Sequence, residues 1–378
     1  MKKVGAFLKS NIIFIVVLLI SISTIFFVPI DKEYLGYFQW DTIACIFMIL
    51  LIVAGLNNIG FFQKTARILV KKFKNTRAII MCLIFITYIS ALINANDMAL
   101  LTFLPLSYAV LKYTNNLKYC AFTFVMQNIA SNLGGMITPI GNPQNLYIYS
   151  YNNLSILEFF RIMFLPTLFA LILIIAVCMF VKKTPISFDE KNDNKIDIRK
   201  TVAYFLMFVF VILVVLRVVN YVVGLVAIVV LMLAFDWRAF LKVDYTIPLT
   251  FVCFFIFSGN LARIPAVMNL LTSLLEKSTY IASYVSCQLI SNVPTAVLMS
   301  KFTTNYAELL VSVNVASLGI IFSSLSGIIS LKEYSKVAKK ESFRKGRGVW
   351  YYILIDTIFN VVGALILVPL SYFTLGLL

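Results

Sequence analysis

Polar residues and helix breakers occur together in one apolar stretch, residues 131–146. Its prolines and glycines cannot continue a helix, whereas Asn142 is a good N-cap and Pro143 suits a first helical position. We therefore expect a helix to end near Gly135, an unwound loop to follow, and a short helix to begin at Pro143. Such a break exposes carbonyls that coordinate cations and helix N-terminal amides that attract anions. The alternative is a structural proline kink, but a simple kink does not require Thr138, Asn142 and Asn145 so close together in an apolar stretch. The candidates in this stretch are Asn132, Thr138, Gly141, Asn142 and Asn145.

A second polar interruption separates two apolar runs, 78–95 and 97–111, each too short to cross a bilayer alone. Two short helices that meet at a polar tip indicate a re-entrant hairpin, which is tolerated when it is buried in protein or lines a wet cavity. Asp97 is the acid most clearly expected at membrane depth, where ionisable groups are costly and usually functional. It would bind a cation or carry a proton; the alternative is a purely structural hydrogen bond. The candidates at this tip are Asn94, Asn96 and Asp97.

The second half of the chain has a matching pair of short apolar runs, 279–291 and 293–303, interrupted by polar residues. This tip is uncharged, because Val293 stands where the first tip has Asp97. A fourth break, around residues 319–330, has serines and glycines but no proline, so small residues for tight helix packing are an alternative there. The candidates in this half are Ser291, Asn292, Thr295, Ser323 and Ser330.

The composition is typical of a membrane protein. Of 378 residues, 61% are hydrophobic and 13% are charged, and the mean hydropathy is +0.95, whereas soluble domains are near half apolar and a quarter charged. With about 20 residues for each span, we expect ten or so spans and no separate soluble domain. The chain has no histidine, which excludes histidine-based hydrolysis, metal sites and proton relays. We interpret the six dispersed cysteines as buried apolar residues.

The basic residues predict the orientation in the membrane. If the N-terminus is cytoplasmic and both short pairs are re-entrant, most of the 32 Lys and Arg residues lie on the cytoplasmic side, as the positive-inside rule requires. The net charge of +16 then suits an anionic inner leaflet rather than nucleic acid. We expect a multi-pass protein of the cell (inner) membrane, with the first apolar run, residues 11–30, retained as a span.

The chain divides into two halves in which similar features follow one another in the same order. Asp41 is followed by Gly55 and Asp244 by Gly259, and each glycine precedes an amphipathic stretch, a hairpin and a break. On the expected topology the copies have opposite orientations, as in the inverted repeats of secondary transporters. The predicted fold is therefore an all-α polytopic membrane protein, an inverted repeat with two re-entrant helical hairpins and two unwound transmembrane helices. Its parts are an N-terminal span (1–40), the first repeat (41–182), a cytoplasmic linker (183–200), connecting scaffold spans (201–243), and the second repeat with the C-terminal span (244–378).

Residues 131–146, which read SNLGGMITPIGNPQNL, resemble the first signature of the ion transporter superfamily. This group contains the arsenite permeases, the sodium–proton antiporters of the same branch, the citrate transporters and the divalent-anion:sodium symporters. The tips Asn96-Asp97 and Asn292-Val293-Pro294 are most similar to those of the arsenite-permease and antiporter branch. The resemblance extends from about Trp40 to Lys336.

The resemblance implies a scaffold, a moving transport domain, elevator-like alternating access and a homodimer. It also implies that cation and substrate sites lie between the hairpin tips and the unwound loops, with a sodium ion near Asn96, Asp97, Thr138 and Asn142. In the first half these sites map onto Asn96, Asp97, Thr138, Gly141, Asn142 and Asn145, and in the second half onto Ser291, Asn292, Thr295, Ser323 and Ser330. Dicarboxylate symporters carry Ser-Asn-Thr at both tips, whereas Asp97 would repel a dicarboxylate unless it were protonated or paired with a cation. The second signature usually ends in an asparagine, where this chain has Ser330.

These features predict a secondary active transporter of a small anion or oxyanion, coupled to protons or sodium. The first alternative is a sodium–proton antiporter that uses Asp97, and an ion channel is the alternative from another class. We do not expect an enzyme, because the sequence has no visible pairing of nucleophile and base and no phosphate-binding loop. The expected partners are the lipid bilayer, a small anionic solute, a proton or sodium ion and a second copy of the chain, with no nucleic acid and no cofactor apart from sodium.

Overall fold

The computed structural model describes residues 12–61, 64, 68, 72–93, 96–186, 197–341 and 347–377. These residues form an all-helical protein, as predicted, and their one β-type contact is an isolated bridge between Asn75 and Pro185. The helices up to the linker are α1 (Ile12–Ile25), α2 (Trp40–Asn58), α3 (Thr76–Ala91), α4 (Asn96–Tyr113), α5 (Cys120–Gly134), α6 (Pro143–Tyr151) and α7 (Ile156–Met179). The helices after the linker are α8 (Ile198–Val215), α9 (Tyr221–Asp236), α10 (Thr246–Ala262), α11 (Pro265–Lys277), α12 (Thr279–Ile290), α13 (Asn292–Met299), α14 (Tyr306–Val315), α15 (Leu325–Lys340) and α16 (Val349–Leu375).

Five helices of the described residues are long and apolar enough to cross a membrane: α2, α7, α8, α16, and α9 together with the turn up to Lys242. α10 and α11 would form a sixth span together, but they bend by 94° at the break between Ala262 and Pro265. Five or six spans are fewer than the ten or so predicted from composition. The reason is that most other apolar helices fall short of the roughly 20 residues that a hydrocarbon core requires.

The short helices begin and end at the residues that the sequence marks as breakers. α5 ends at Gly134, and α6 begins at Pro143 with Asn142 in the N-cap position, as predicted. α4 begins at Asn96, which places Asp97 in the first turn of the helix. α12 and α13 are separated by a single residue, Ser291. Pro294 is the third residue of α13, and proline is tolerated in the first turn of a helix but not in its interior.

The four breaks meet because the short helices interlock. α3 and α4 pack against α5, and α12 and α13 pack against α14. Each hairpin also reaches the other half: α4 lies against α15, and α13 lies against α6. The loop at residues 135–142 and the loop at residues 316–324 are therefore brought to the same region of the protein.

α2 and α10 lie between this inner bundle and the outer helices α1, α8 and α9. α2 packs against α8 and α9, α10 packs against α1, and α2 and α10 contact the bundle through α6 and α13. Most of α2 is buried, whereas α9 and α16 leave most of their apolar surface exposed. Exposed apolar faces of this extent are what helices facing lipid present.

Candidate functional site

The loop between α5 and α6 is held by side-chain amides. Asn142 has the extended backbone of an N-cap, but its side chain does not cap α6. Its Nδ2 instead donates to the carbonyl oxygen of Asn132 and to Oδ1 of Asn314, both at 3.0 Å. Oδ1 of Asn142 is buried and has no hydrogen-bond partner in the part of the chain that the structure describes. This oxygen is therefore available to a bound cation or to a donor group of a ligand.

Asn145 organises the same loop from within α6. Its Oδ1 accepts a hydrogen bond from Nδ2 of Asn314 at 2.6 Å. Its Nδ2 donates to three carbonyl oxygens of the loop, at 3.0 to 3.2 Å: those of Gly135, Met136 and Thr138. The carbonyls that the sequence offers as cation ligands are thus partly occupied by Asn145, which supports the loop as well as lining the site.

Two glycines allow the loop to close on itself. A Cβ atom on Gly135 would lie 2.4 Å from Oδ1 of Asn142, and a Cβ atom on Gly141 would lie 2.3 Å from the carbonyl oxygen of Gly135. Both distances are far below van der Waals contact, so a side chain at either position would open the loop. Gly141, predicted as a ligand, therefore has a steric role here.

The first hairpin tip places Asp97 against the second half of the chain. Oδ1 of Asn96 accepts from the backbone N–H of Asp97 at 3.0 Å, and Nδ2 of Asn96 donates to Oδ1 of Asn132 at 2.9 Å. Oδ1 of Asp97 accepts from the hydroxyl of Ser326, in the first turn of α15, at 2.7 Å. The Asp97 carboxyl group is buried, and the ion pairs of the described residues do not include it. Asn94, the third candidate at this tip, lies outside the described residues.

The second hairpin tip is held by the backbone of the fourth break. The backbone N–H of Asn292 and the hydroxyl of Ser291 donate to the carbonyl oxygen of Ser323 at 3.0 and 3.2 Å. Oδ1 of Asn292 accepts from the backbone N–H of Val293 at 2.9 Å, as the asparagine of the first tip does with its neighbour. The Thr295 hydroxyl donates to the Ser291 carbonyl at 2.8 Å. Ser291 has φ of 74°, an uncommon value for a residue with a side chain, which indicates local strain.

Two candidates lie at the edge of the site. Thr138 is half-buried and donates to the carbonyl oxygen of Leu92 at 2.9 Å, which links the first loop to the first hairpin. Ser330 lies beyond the first turn of α15, donates to the Phe124 carbonyl at 3.3 Å and accepts from the Tyr352 hydroxyl at 2.7 Å. Ser330 therefore faces α5 and α16.

The residue at the centre of the network was not among the sequence candidates. Asn314 of α14 is buried and contacts Asn142 and Asn145, and its Oδ1 also accepts from Nε2 of Gln144 at 3.3 Å. The signal that could have found it is a lone asparagine in an apolar helix, where an amide is costly unless it is hydrogen-bonded. The other polar residues of the network that were not selected are Asn128, Gln144, Ser324 and Ser326.

The site combines amides and hydroxyls with one carboxyl group. None of the hydrogen bonds given above comes from a lysine or arginine, so an anion would be held by neutral donors. The described residues contain no group of three or more His, Cys, Asp and Glu that could hold a metal ion. The oxygen atoms of Asp97 and Asn142 are the kind of ligand that hard cations prefer. A cavity of about 20 Å³, enough for one water molecule, adjoins Asn142 and Pro143.

Broken apolar helices that enclose a buried polar network are the architecture of a membrane transporter. The family described as citrate transporter (CitMHS) matches residues 4–327, most of the chain. The chain belongs to this family, and the resemblance to the ion transporter superfamily is confirmed. It is a multi-pass membrane transporter of the citrate-transporter and arsenite-permease type.

Three relatives agree with this assignment. The chain is 29% identical over 334 residues to the uncharacterized transporter MJ0456 of Methanocaldococcus jannaschii, which covers 87% of this chain and 88% of the relative. It is 26% identical over 340 residues to the inner membrane protein YbiR of Escherichia coli K12, with 86% and 88% covered. It is 27% identical over 165 residues to the putative transporter arsB of Dictyostelium discoideum, with 43% of this chain and 28% of that one covered.

Proposed function

We propose that this transporter moves a small anion or oxyanion, coupled to protons or sodium, by elevator-like alternating access. The observation that carries the proposal is the buried network in which Asn314 joins Asn142 and Asn145 across the two halves of the chain. Amides from both halves surround the region where the helices break, and Oδ1 of Asn142 is left for a ligand. Neutral donors and helix N-termini suit an anion, whereas Asp97 suits the cation that accompanies it.

The two halves have matching contacts, which supports an inverted repeat. α3 packs on α5 as α12 packs on α14, and α4 contacts α15 as α13 contacts α6. The same order of span, hairpin, broken helix and span runs from α2 to α7 and from α10 to α16. In this scheme α3–α4 and α12–α13 are the re-entrant hairpins, and the N-terminus is cytoplasmic. The repeats are residues 41–182 and 244–378, with spans at 1–40 and 201–243 and a cytoplasmic linker at 183–200.

The elevator movement requires a surface along which the inner bundle can slide. Where α2 faces the first loop and α6, the lining is apolar apart from Asn142, with Ile46 and Ile49 on one side and Ile140 and Leu146 on the other. An apolar contact of this kind can shift without breaking hydrogen bonds. The helices that bear the site, α3–α6 and α12–α15, would move together because the network joins them to one another. The family resemblance also implies a homodimer. In this dimer the outer helices α1, α8 and α9 would remain fixed.

A few polar contacts cross between the two sets of helices and would break during the movement. The Thr102 hydroxyl of α4 donates to Oδ1 of Asn57 of α2 at 3.3 Å. The Arg217 guanidinium, between α8 and α9, donates to the Tyr149 carbonyl near the end of α6 at 2.8 Å. Contacts of this kind would favour the state that the structure represents without fixing it.

The decisive test is a thermal-shift screen of the purified protein, followed by flux measurements in proteoliposomes. The screen uses oxyanions, carboxylates, sodium and lithium at two pH values, because a ligand that binds only the folded state raises its stability. We expect one anion to raise the melting temperature, and more so with sodium or at the lower pH. If no anion stabilises the protein and none is transported, the proposal is wrong.

A substitution in the first loop locates the site. We expect Asn142→Ala to weaken binding of the stabilising anion by more than about tenfold, or roughly 1.4 kcal/mol. Asn152→Ala is the matched control, because Asn152 lies just after α6 and its Nδ2 donates to the Ile148 carbonyl of the same helix. Unchanged affinity in Asn142→Ala would place the substrate elsewhere.

A sodium–proton antiporter is the second candidate. It is favoured by the burial of Asp97 without an ion-pair partner among the described residues. An antiporter would move protons when sodium is added in the absence of any anion. The anion transporter would move protons or sodium only together with its anion.

A further inference from the structure

Asp356 is a second buried carboxyl group, separate from the site described above. It lies in α16, about 10 Å along the helix from the first residue at 1.5 Å per residue. The residue is 1% exposed, and its Oδ1 has no hydrogen-bond partner in the described part of the chain. Nδ2 of Asn360 donates to the backbone carbonyl of Asp356 at 2.8 Å, and the side chain of Asn128 lies beside the carboxyl group.

Polar side chains lead from Asp356 to the first hairpin tip. Asn128, beside Asp356, accepts at Oδ1 from Nδ2 of Asn132 at 3.3 Å. The Ser326 hydroxyl oxygen lies 3.5 Å from Oδ1 of Asn132. The same hydroxyl donates to Asp97 at 2.7 Å. All five residues are buried, so the two carboxyl groups are joined inside the protein.

The spacing of these residues places them on facing helix surfaces. Asn128 and Asn132 are one turn apart on α5, and Asp356 and Asn360 are one turn apart on α16. Residues four apart share one face of a helix, and α5 packs against α16. Two polar pairs therefore meet in a contact where apolar side chains would pack more favourably, which indicates a function other than packing.

The described groups around Asp356 leave its charge uncompensated. Tyr352 lies one turn earlier on α16, Tyr334 of α15 stacks on it at 4.8 Å, and Cys120 of α5 lies near both rings. The charged residues on the other helices that pack against α16 lie elsewhere. Glu158, Arg161 and Glu308 are in the first two turns of α7 and α14. On α15, Lys332, Lys339 and Lys340 are exposed, and Lys336 pairs with Glu333.

An ionised and unpaired carboxylate in such a place is very unfavourable, so it must take up a proton or bind a cation. A metal ion would need several oxygen ligands, and the described residues contain no group of three or more His, Cys, Asp and Glu that could hold one. A proton needs only the free Oδ1.

We propose that Asp356 is a proton-binding site, linked to Asp97 through Asn128, Asn132 and Ser326, and that it takes up and releases one coupled proton in each transport cycle. On uptake an O–H bond forms on the carboxylate and the group becomes neutral, and on release the proton returns to water. The role in the cycle rests on the proposed function; the protonation of Asp356 does not.

Infrared spectroscopy tests the protonation directly. We expect pH-difference spectra of the purified protein to contain a protonated-carboxyl band that disappears in Asp356→Asn and remains in Asp41→Asn. Asp41 is the matched control, since it is a half-buried aspartate whose Oδ1 accepts from its neighbour's backbone N–H. A spectrum unchanged in Asp356→Asn would overturn the proposal, and so would a band that responds to sodium rather than to pH.

Flux measurements test the role in coupling. In proteoliposomes we expect Asp356→Asn to lower the number of protons moved per substrate about tenfold, with substrate affinity by thermal shift unchanged. Asn128→Ala should also lower coupling while keeping the infrared band of Asp356, and it serves as the second variant if Asp356→Asn does not fold. Normal coupling in both variants would overturn the role in the cycle. If no substrate is transported by the wild-type protein, the proposed function fails, whereas the infrared result still decides the protonation of Asp356.

Discussion

The two breaks near the centre of the protein are stabilised in different ways. In the first break, Asn145 donates to three loop carbonyls from the helix that follows the loop. In the second break, the loop is held from a hairpin helix: Gln288 of α12 donates to the Ala316 carbonyl at 3.0 Å and accepts from the Ile320 backbone N–H at 3.0 Å. A side-chain amide thus replaces helical hydrogen bonds in both loops. In the first loop the amide belongs to the helix that follows, and in the second it belongs to a hairpin helix.

The two tips differ in charge as well. Asp97 stands at the first tip and Val293 at the second, although an asparagine side chain accepts from the backbone N–H of each. The backbone arrangement is therefore similar in the two halves, whereas the chemistry is concentrated in the first. The second half contributes neutral side chains, Asn314 and Ser326, that reach into the first.

The largest expected effect concerns the charge at the first tip. Asp97→Asn should lower coupled flux about 100-fold or more, roughly 2.7 kcal/mol, because the variant keeps the shape of the side chain and loses the group that binds a cation. Val293→Thr, at the same position of the second tip, should retain flux within about twofold. The measurement is uptake in proteoliposomes as a function of pH and sodium. If Asp97→Asn keeps its pH and sodium dependence, the carboxyl group has no role in coupling and the tips are functionally alike.

The next effect concerns the amides that hold the loops. Asn145→Ala should lower the stability by about 2–3 kcal/mol, because three buried carbonyls lose a donor. Gln288→Ala should cost about 1–2 kcal/mol, because Gln288 is only half-buried and water can replace part of its bonding. Thermal and denaturant unfolding in detergent give the comparison. Equal losses in the two variants would show that the loops depend on their amides to the same extent.

A smaller effect is expected from the strained residue at the second tip. Ser291→Gly should raise stability by about 1 kcal/mol, because glycine adopts positive φ without a steric cost. Ser291→Ala keeps the strain and loses the hydroxyl contact with Ser323, so it should be less stable than the wild type. The same unfolding measurements apply. A less stable Ser291→Gly would mean that the hydroxyl contact outweighs the strain.

The smallest effect lies outside both tips, where the loop before α2 meets the bend after α10. The Arg263 guanidinium donates to the carboxylate of Asp31 at 3.0 and 2.5 Å and lowers the pKa of that group. Because the pKa of Asp31 is lower in the folded protein, its ionised carboxylate stabilises the fold at pH values above the ordinary pKa of 3.8. This contribution is lost as the pH falls through the pKa of the folded protein. Asp31→Asn should therefore flatten the pH dependence of the melting temperature in acid and leave flux unchanged, since exposed ion pairs contribute little. A large loss of flux would link this outer pair to the movement of the site.

Local chemistry determined much of what sequence analysis predicted correctly. Proline, glycine and asparagine set the end of α5 and the start of α6 because they act through their own backbone. The fourth break was harder to place. The sequence predicted this break only as a region, around residues 319–330, whereas the structure begins α15 at Leu325 with Ser324 in the N-cap position. Serines and glycines are compatible with several helix starts, so the packing of α4 and α5 on α15 selects one.

The identity of the side-chain partners depended on tertiary contacts. Asn142 was predicted as an N-cap, but Asn314, 172 residues away along the chain, engages its amide instead. Asn128 and Asp356 are likewise distant in sequence and adjacent only because α5 packs on α16. Spacing within one helix predicts which residues share a face, but it does not predict which other helix that face contacts.

The amino-acid sequence by itself determined that this is an all-helical membrane protein of the citrate transporter family, and it determined where its first helix breaks, because apolar content and helix breakers act locally. Only the tertiary structure decided which amides meet, because a hydrogen bond across more than a hundred residues forms when helices pack, and many packings satisfy the same pattern. The asymmetry between a charged first tip and a neutral second tip is written in the sequence. The contacts that bring the two halves together at one site could be known only from the tertiary structure.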